Sequence, residues 1–436
     1  MMQNLEKSTK GIRVGNGGYF VNKKHIILRE PSEECVLDMQ EVGAEVARGM
    51  DGRNICLFGM AAVVEDENDP SITHRADNAT LINEGIIEIY LNEMVEAYKD
   101  KIKENKDDSS HLYNFVRCYA MCGGKNCLLV NEGTIRIHVD QEDKNVPVYI
   151  MTVSAGEKTT MINNGTIELV GKGSSETQAR VMTIHASDPM IINNGNIKID
   201  VDETSTVRVL ATTTIGGSLT NFGLIDIRTS GKIMTIGRMG DTQVLNTGKI
   251  NIDFPARFVK QNVSFLFQSD PLACAVYEHC PPDIDLTTPP VVNLGEINVD
   301  LEGSEASTER AVAFGFYTEM IPGGEHNNAH KYENPGKINV TSSGPYEFVT
   351  AELGCNLQAV KDIPFDIKIG TWNTSARDFA KTKDLILCKS GRVDLSEAVF
   401  VIEGGDGNYK AEDLVAQTGD GHTFSISGTE TMKIET

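Results

Sequence analysis

The sequence predicts an all-β chain: a single-stranded right-handed parallel β-helix, or β-solenoid, of about nine or ten coils with N- and C-terminal caps. Three observations predict it. A short phrase, Asn-x-Gly-x-Ile-x-Ile, recurs along the 436 residues. A second phrase stands at a near-constant distance before it. Aromatics are scarce at 6% while glycine is abundant at 40 residues, a composition that suits a narrow, repetitive aliphatic core.

The main phrase reads LINEGIIEI from Leu81, LVNEGTIRI from Leu129, MINNGTIEL from Met161 and IINNGNIKI from Ile191. It continues as LTNFGLIDI from Leu219, VLNTGKINI from Val244, VVNLGEINV from Val291 and YENPGKINV from Tyr332, with KSGRVDL from Lys389 as a worn ninth copy. After each glycine, apolar and polar residues alternate, which is the period of a half-buried strand. The asparagines Asn83, Asn131, Asn163, Asn193, Asn221, Asn246, Asn293 and Asn334 are expected to stack as a hydrogen-bonded structural ladder. The glycine is expected at positive φ, where a Cβ would clash.

The upstream phrase reads YIMTVSAG from Tyr149, RVMTIHAS from Arg180, RVLATTTI from Arg208 and KIMTIGRM from Lys232. From Met151, Met182, Leu210 and Met234 the next asparagine lies 12, 11, 11 and 12 residues on. So constant an interval predicts one fixed corner and three strands per coil. A coil cannot bury its apolar face alone, so stability is expected from the stacking of neighbours.

Residues 1–50 lack the phrase and are read as an N-terminal cap, with Gly15-Asn16-Gly17-Gly18 as a turn into a strand. Residues 51–360 are the repeats, and 361–436 the terminal coils and cap. A helical insertion is expected at about 91–108, where Met94, Tyr98 and Ile102 share one helix face. Two loop insertions, about 269–290 and 318–333, lengthen the same corner of successive coils. They carry the candidate binding residues His279, Asp283, Asp285, Glu325, His326 and His330, because function concentrates on loops held by a rigid scaffold. A third candidate loop runs from Glu65 to Asn78 and contains His74.

The net charge of −22 disfavours nucleic acid and anionic membranes as partners. No stretch reaches the ~20 apolar residues of a spanning helix. The start, MMQNLEKSTKG, is polar and shows no secretory signal. Nine cysteines form no regular framework. Cys118, Cys122 and Cys127 are spaced poorly for zinc and are expected as buried thiols, whereas Cys274 and Cys280 share one loop and would pair only if oxidised. His326 and His330 are four apart, but the glycines and asparagines around them argue against a helical metal site. No metal or cofactor is expected. Glu88, Arg136, Glu168, Lys198, Asp226, Asn251, Asn298 and Asn339 should face outward from the third strand as a mixed row. That is not the carboxylate cluster of a polysaccharide-cutting enzyme, although Asp283 and Glu325 are candidates for a carboxylate pair.

The repeats INNGTIEL and INNGNIKI, with the closing strands DLIL, EDLV and TFSI, resemble the β-helical passenger domains of bacterial autotransporters and related adhesins over roughly residues 53–430. The resemblance implies a surface or secreted location; the cysteines and the polar start keep a cytoplasmic one open. The expected function is a non-enzymatic, adhesin-like scaffold that binds protein or glycan through its corner loops. A carbohydrate-active lyase or hydrolase is the second reading, and a structural fibre or tail-spike component the third.

Overall fold

The computed structural model describes residues 11–29, 36–37, 55–65, 72–92, 116–141, 148–184, 188–212, 216–230, 232–239, 242–254, 265–270, 291–301, 310–318, 330–342, 347–355, 365–379, 386–388, 391–417 and 424–436. The chain forms two compact units, Met1–Thr212 and Thr213–Thr436. Both are built almost wholly of strands paired in parallel. Among the described residues, helix is confined to Leu91–Asn92 and the short segments Ala376–Phe379 and Ala411–Leu414. Of the expected helical insertion only those first two residues are described.

In the first unit the chain lays down strands on three tracks. The first track holds Ile55–Glu65, Val116–Cys122, Val148–Ala155, Thr177–Ile184 and Thr206–Thr212. The second holds Tyr19–Asn22, Thr80–Asn83, Leu128–Asn131, Thr160–Asn163 and Met190–Asn193, and the third His25–Leu28, Ile86–Tyr90, Thr134–His138, Thr166–Gly171 and Asn196–Val201. Each strand pairs in parallel with its counterpart one coil on, without a slip in register: Leu81 with Leu129, Leu129 with Met161, Met161 with Ile191. Third-track residues Ile87, Ile135, Ile167 and Ile197 point inward and are fully buried. The first track departs from simple alternation, since nearly every residue of Val148–Ala155 and Thr177–Ile184 is buried. Phe58 stacks on Tyr119 there, centroids 5.4 Å apart. Among the described residues of this unit one pairing runs the other way: Ile72–Arg75 folds back antiparallel on Val63–Glu65.

The asparagines form an inner file. Asn22 Nδ2 donates to Asn83 Oδ1 at 2.8 Å, Asn83 to Asn131 at 2.8 Å, Asn131 to Asn163 at 2.7 Å and Asn163 to Asn193 at 2.7 Å. Their second amide contacts go to backbone carbonyls, such as Asn131 Nδ2 to Thr166 O at 3.2 Å. All five are buried, so the file satisfies polar groups that would otherwise be costly inside the protein. The file begins one coil earlier than the motif: Asn22 lies in the segment read as a cap, in the phrase FVNKKHIIL.

The glycine after the asparagine has a different physical role from the one expected. The glycines found at positive φ do not include Gly85, Gly133, Gly165 or Gly195. A Cβ on Gly133 would instead lie 2.0 Å from the Gly85 carbonyl oxygen, and one on Gly165 2.0 Å from that of Gly133. The residue is glycine because successive backbones nearly touch. In the first coil Lys24 stands in its place, its backbone carbonyl accepting from the Ile86 amide above it at 2.9 Å.

Positive φ occurs at the other corner, two residues before each second-track strand. Asn78, Asn126, Lys158 and Asp188 have φ of 59°, 53°, 53° and 54°. This one-residue turn recurs in these four successive coils, and accounts for the fixed interval between the two phrases there.

The second unit repeats the scheme. Leu224–Arg228, Lys249–Phe254, Glu296–Leu301 and the later part of His330–Ser342 pair in sequence on the third track. Its inner file runs Asn221 to Asn246 at 2.7 Å and Asn246 to Asn293 at 2.6 Å. Asn334 stands beside Ile369 in register, so the next coil carries no asparagine at that position. Gly391–Asp394, the worn copy, pairs with Asp366–Lys368 on the second track; Val399–Glu403 takes the third, beside Thr371–Ser375.

Candidate functional site

Of the corner-loop candidates, His279, Asp283, Asp285, Glu325 and His326 lie outside the described residues, and His330 opens the strand His330–Ser342. The loop from Glu65 to Asn78 is partly strand. Its Arg75 is buried, with Nη1 donating to Gly123 O at 3.5 Å and Nη2 to Ser154 Oγ at 3.4 Å. His74 is half-buried on the same strand.

Among the described residues the richest arrangement of exposed chemistry is on the outer face of the third track in the first unit. Parallel register places Glu88 beside Arg136 and Arg136 beside Glu168, with Tyr90 beside His138. Glu88 is the centre. His138 Nε2 lies 2.9 Å from Glu88 Oε1, and His25 Nε2 lies 2.9 Å from Oε2. Three consecutive coils are thus joined through one carboxylate. Burial opposes the charge on Glu88, but hydrogen bonds from His138, His25 and Tyr90 outweigh it and hold the carboxyl below its ordinary 4.5.

Around this centre the other groups are also fixed by neighbours. Tyr90 and His138 stack, centroids 4.3 Å apart and planes 6° from parallel. The Arg29 guanidinium covers Tyr90 at 4.1 Å from its centroid, in cation–π geometry. Arg136 Nε donates to Glu168 Oε2 at 2.6 Å, and its Nη1 lies 4.0 Å from Glu88. Such side chains meet a ligand already ordered, which lowers the entropy lost on binding. The imidazole Nε2 atoms are spent on Glu88, and among the described residues no three histidine, cysteine or carboxylate side chains converge as a metal site. Cys118, Cys122 and Cys127 are buried, and burial pushes the Cys118 thiol up to about 12.

In the second unit the outer face of its own third track carries amides. Asn251, Asn298, Asn339 and Asn373 align in register. Beside them, the Asn298 amide and then the Lys249 side chain hold Glu296 below the usual glutamate range against a smaller desolvation cost.

Sequence reasoning places Glu88, Arg136 and Glu168 outward but treats them as an unremarkable mixed row, gives His138 no role and does not single out His25, Arg29 or Tyr90. The signal was available: LINEGIIEIY written above LVNEGTIRIH sets Glu88 over Arg136 and Tyr90 over His138.

A family model described as the BigA fourth domain, a bacterial surface-protein domain, matches residues 33–254, just over half of the chain. No curated protein and no solved structure matches.

Proposed function

The chain belongs to the BigA fourth-domain family, and from that premise we propose that it is a non-enzymatic, adhesin-like scaffold of the bacterial surface. On this reading the coils form one continuous right-handed β-helix of about nine or ten turns, in the manner of an autotransporter passenger. It holds its ligand, a protein or a glycan, on outer sheet faces and at corner loops that include His279, Asp283, Asp285, Glu325, His326 and His330. Fold alone does not dictate function. The observation that carries the reading is the Glu88 cluster, in which a half-exposed set of charged and aromatic side chains is held in place by inter-coil contacts.

The test is direct. Purified chain is spread on a glycan array and on a panel of immobilised cell-surface proteins, and each glycan is also assayed for newly released reducing ends. Saturable binding without release of ends is the expected result. Catalytic release would replace this reading by a carbohydrate-active enzyme, and absence of binding to either surface would refute it.

A further inference from the structure

The outer face of the third track in the second unit carries an exposed ladder separate from the buried asparagine file. Asn298 Nδ2 donates to Asn251 Oδ1 at 2.8 Å, Asn339 Nδ2 to Asn298 Oδ1, and Asn373 Nδ2 to Asn339 Oδ1 at 2.7 Å. All four amides are half-exposed. Inside a solenoid such a file satisfies buried polar atoms; out here water would do so equally well, and a run of four aligned amides calls for another account.

The charges beside the ladder come close to balance. On one side Lys249 meets Glu296 at 3.4 Å, followed by Lys337. On the other Arg228 meets Asp253 at 3.2 Å, followed by Asp300, which accepts from Thr341 Oγ1 at 3.0 Å. With Asp226, in register beside Asn251 at the foot of the ladder, three cations face four carboxylates, on a chain whose net charge is −22. A nearly neutral face on a strongly acidic protein complements a neutral ligand, and the surrounding field repels an anionic one.

We propose that this ladder, Asn251–Asn298–Asn339–Asn373, binds an uncharged linear glycan laid along the coil-stacking direction. The inference rests on the adhesin-like reading and names its ligand class. Each ladder oxygen keeps a second lone pair after accepting from its neighbour, and a hydroxyl both donates and accepts. These groups recur at the strand spacing of ~4.8 Å, a repeat that an extended sugar chain can follow residue by residue. A peptide strand advances ~3.3 Å per residue, falls out of step with the ladder, and docks on sheet edges rather than across a sheet face.

The experiment uses the full chain and isothermal titration with neutral gluco-, xylo- and manno-oligosaccharides of two to six sugars. Polygalacturonate serves as the anionic control and the glycan array as a broader screen. Affinity for at least one neutral series is expected to rise with length and level off near the length of the ladder. The double variant Asn298→Ala/Asn339→Ala should weaken it about tenfold or more, the loss of one to two hydrogen bonds. Asn251→Ala, at the ladder's end, severs a single inter-amide bond and provides the same reading if the double variant melts early. Lys172→Ala, at an exposed lysine of the first unit outside both the ladder and the Glu88 cluster, should leave glycan affinity unchanged. The proposal is overturned if no neutral oligosaccharide binds, if polygalacturonate binds more tightly, if only proteins bind, or if the ladder variants bind as well as the parent. A parent chain that still adheres to protein or another glycan in those cases keeps the adhesin reading intact; one that adheres to nothing loses both.

Discussion

The Nε2 atom of His138 lies 2.9 Å from Oε1 of Glu88, a residue one coil earlier. The opposite oxygen is held by His25 from the coil before that. Glu88 is thus a clip between coils, and its carboxyl titrates below the ordinary 4.5. A carboxyl depressed in the folded state contributes stability that is present above its unfolded pKa and lost as pH falls through the folded one. Glu88→Gln should cost about 1–2 kcal/mol at pH 7. The gap between variant and parent, measured by urea denaturation from pH 7 downward, should hold until the pH passes 4.5 and close below it. A gap of constant size down to the folded-state pKa and beyond would show that charge is not what the clip uses.

The inner asparagine file predicts a graded cost. Asn131 is buried between two like residues, accepting from Asn83 and donating to Asn163. Asn131→Ala strands buried partners on both sides and should destabilise by about 2–4 kcal/mol. Asn22 has only its upper neighbour, Asn83, in the file as described, so Asn22→Ala should cost about 1 kcal/mol. Equal costs in chemical denaturation would mean that the amide chain does not set the energetics of this corner.

How much of this is legible in the sequence depends on repetition. The inner file is readable because every copy carries asparagine at the same offset, and the third-track strands because Ile-x-Ile follows each glycine. Asn22 is hard to see because Lys24 replaces the glycine of the motif. The Glu88 cluster requires vertical alignment of copies, since Glu88, His25 and His138 are 50 or more residues apart along the chain. The corner insertions carry no period, so their sequence gives no geometry for His279 or Glu325. The role of the motif glycine could not be read at all: positive φ and close backbone approach both demand glycine, and only the neighbouring coil distinguishes them.

That distinction has a measurable consequence. Gly165→Ala would set a methyl 2.0 Å from the Gly133 carbonyl oxygen, forcing two coils apart at a cost of about 3 kcal/mol. Lys24 already carries a Cβ at the equivalent place in the first coil, so Lys24→Ala should change stability by less than about 0.5 kcal/mol. Thermal melts of the two variants decide the matter. A Gly165→Ala protein that melts with the parent would show that the coils can separate at this corner without penalty.

The left-handed corner leads to the opposite sign. Lys158 sits at φ 53° with its side chain exposed, and a non-glycine residue in this region costs roughly 1–2 kcal/mol. Lys158→Gly relieves that strain but gives the unfolded chain more freedom, a loss of roughly 0.5–1 kcal/mol. The net should be a gain of about 0.5 kcal/mol and a slightly higher melting temperature. The exposed Lys125–Glu157 pair next to it, at 3.6 Å, is untouched by the change. Asn126, at φ 53° one coil earlier, tolerates the left-handed region better than lysine because its short polar side chain bonds locally. Asn126→Gly should therefore gain less than Lys158→Gly. A fall in melting temperature for Lys158→Gly larger than for Asn126→Gly would mean that the lysine side chain itself, and not the backbone turn, holds this corner.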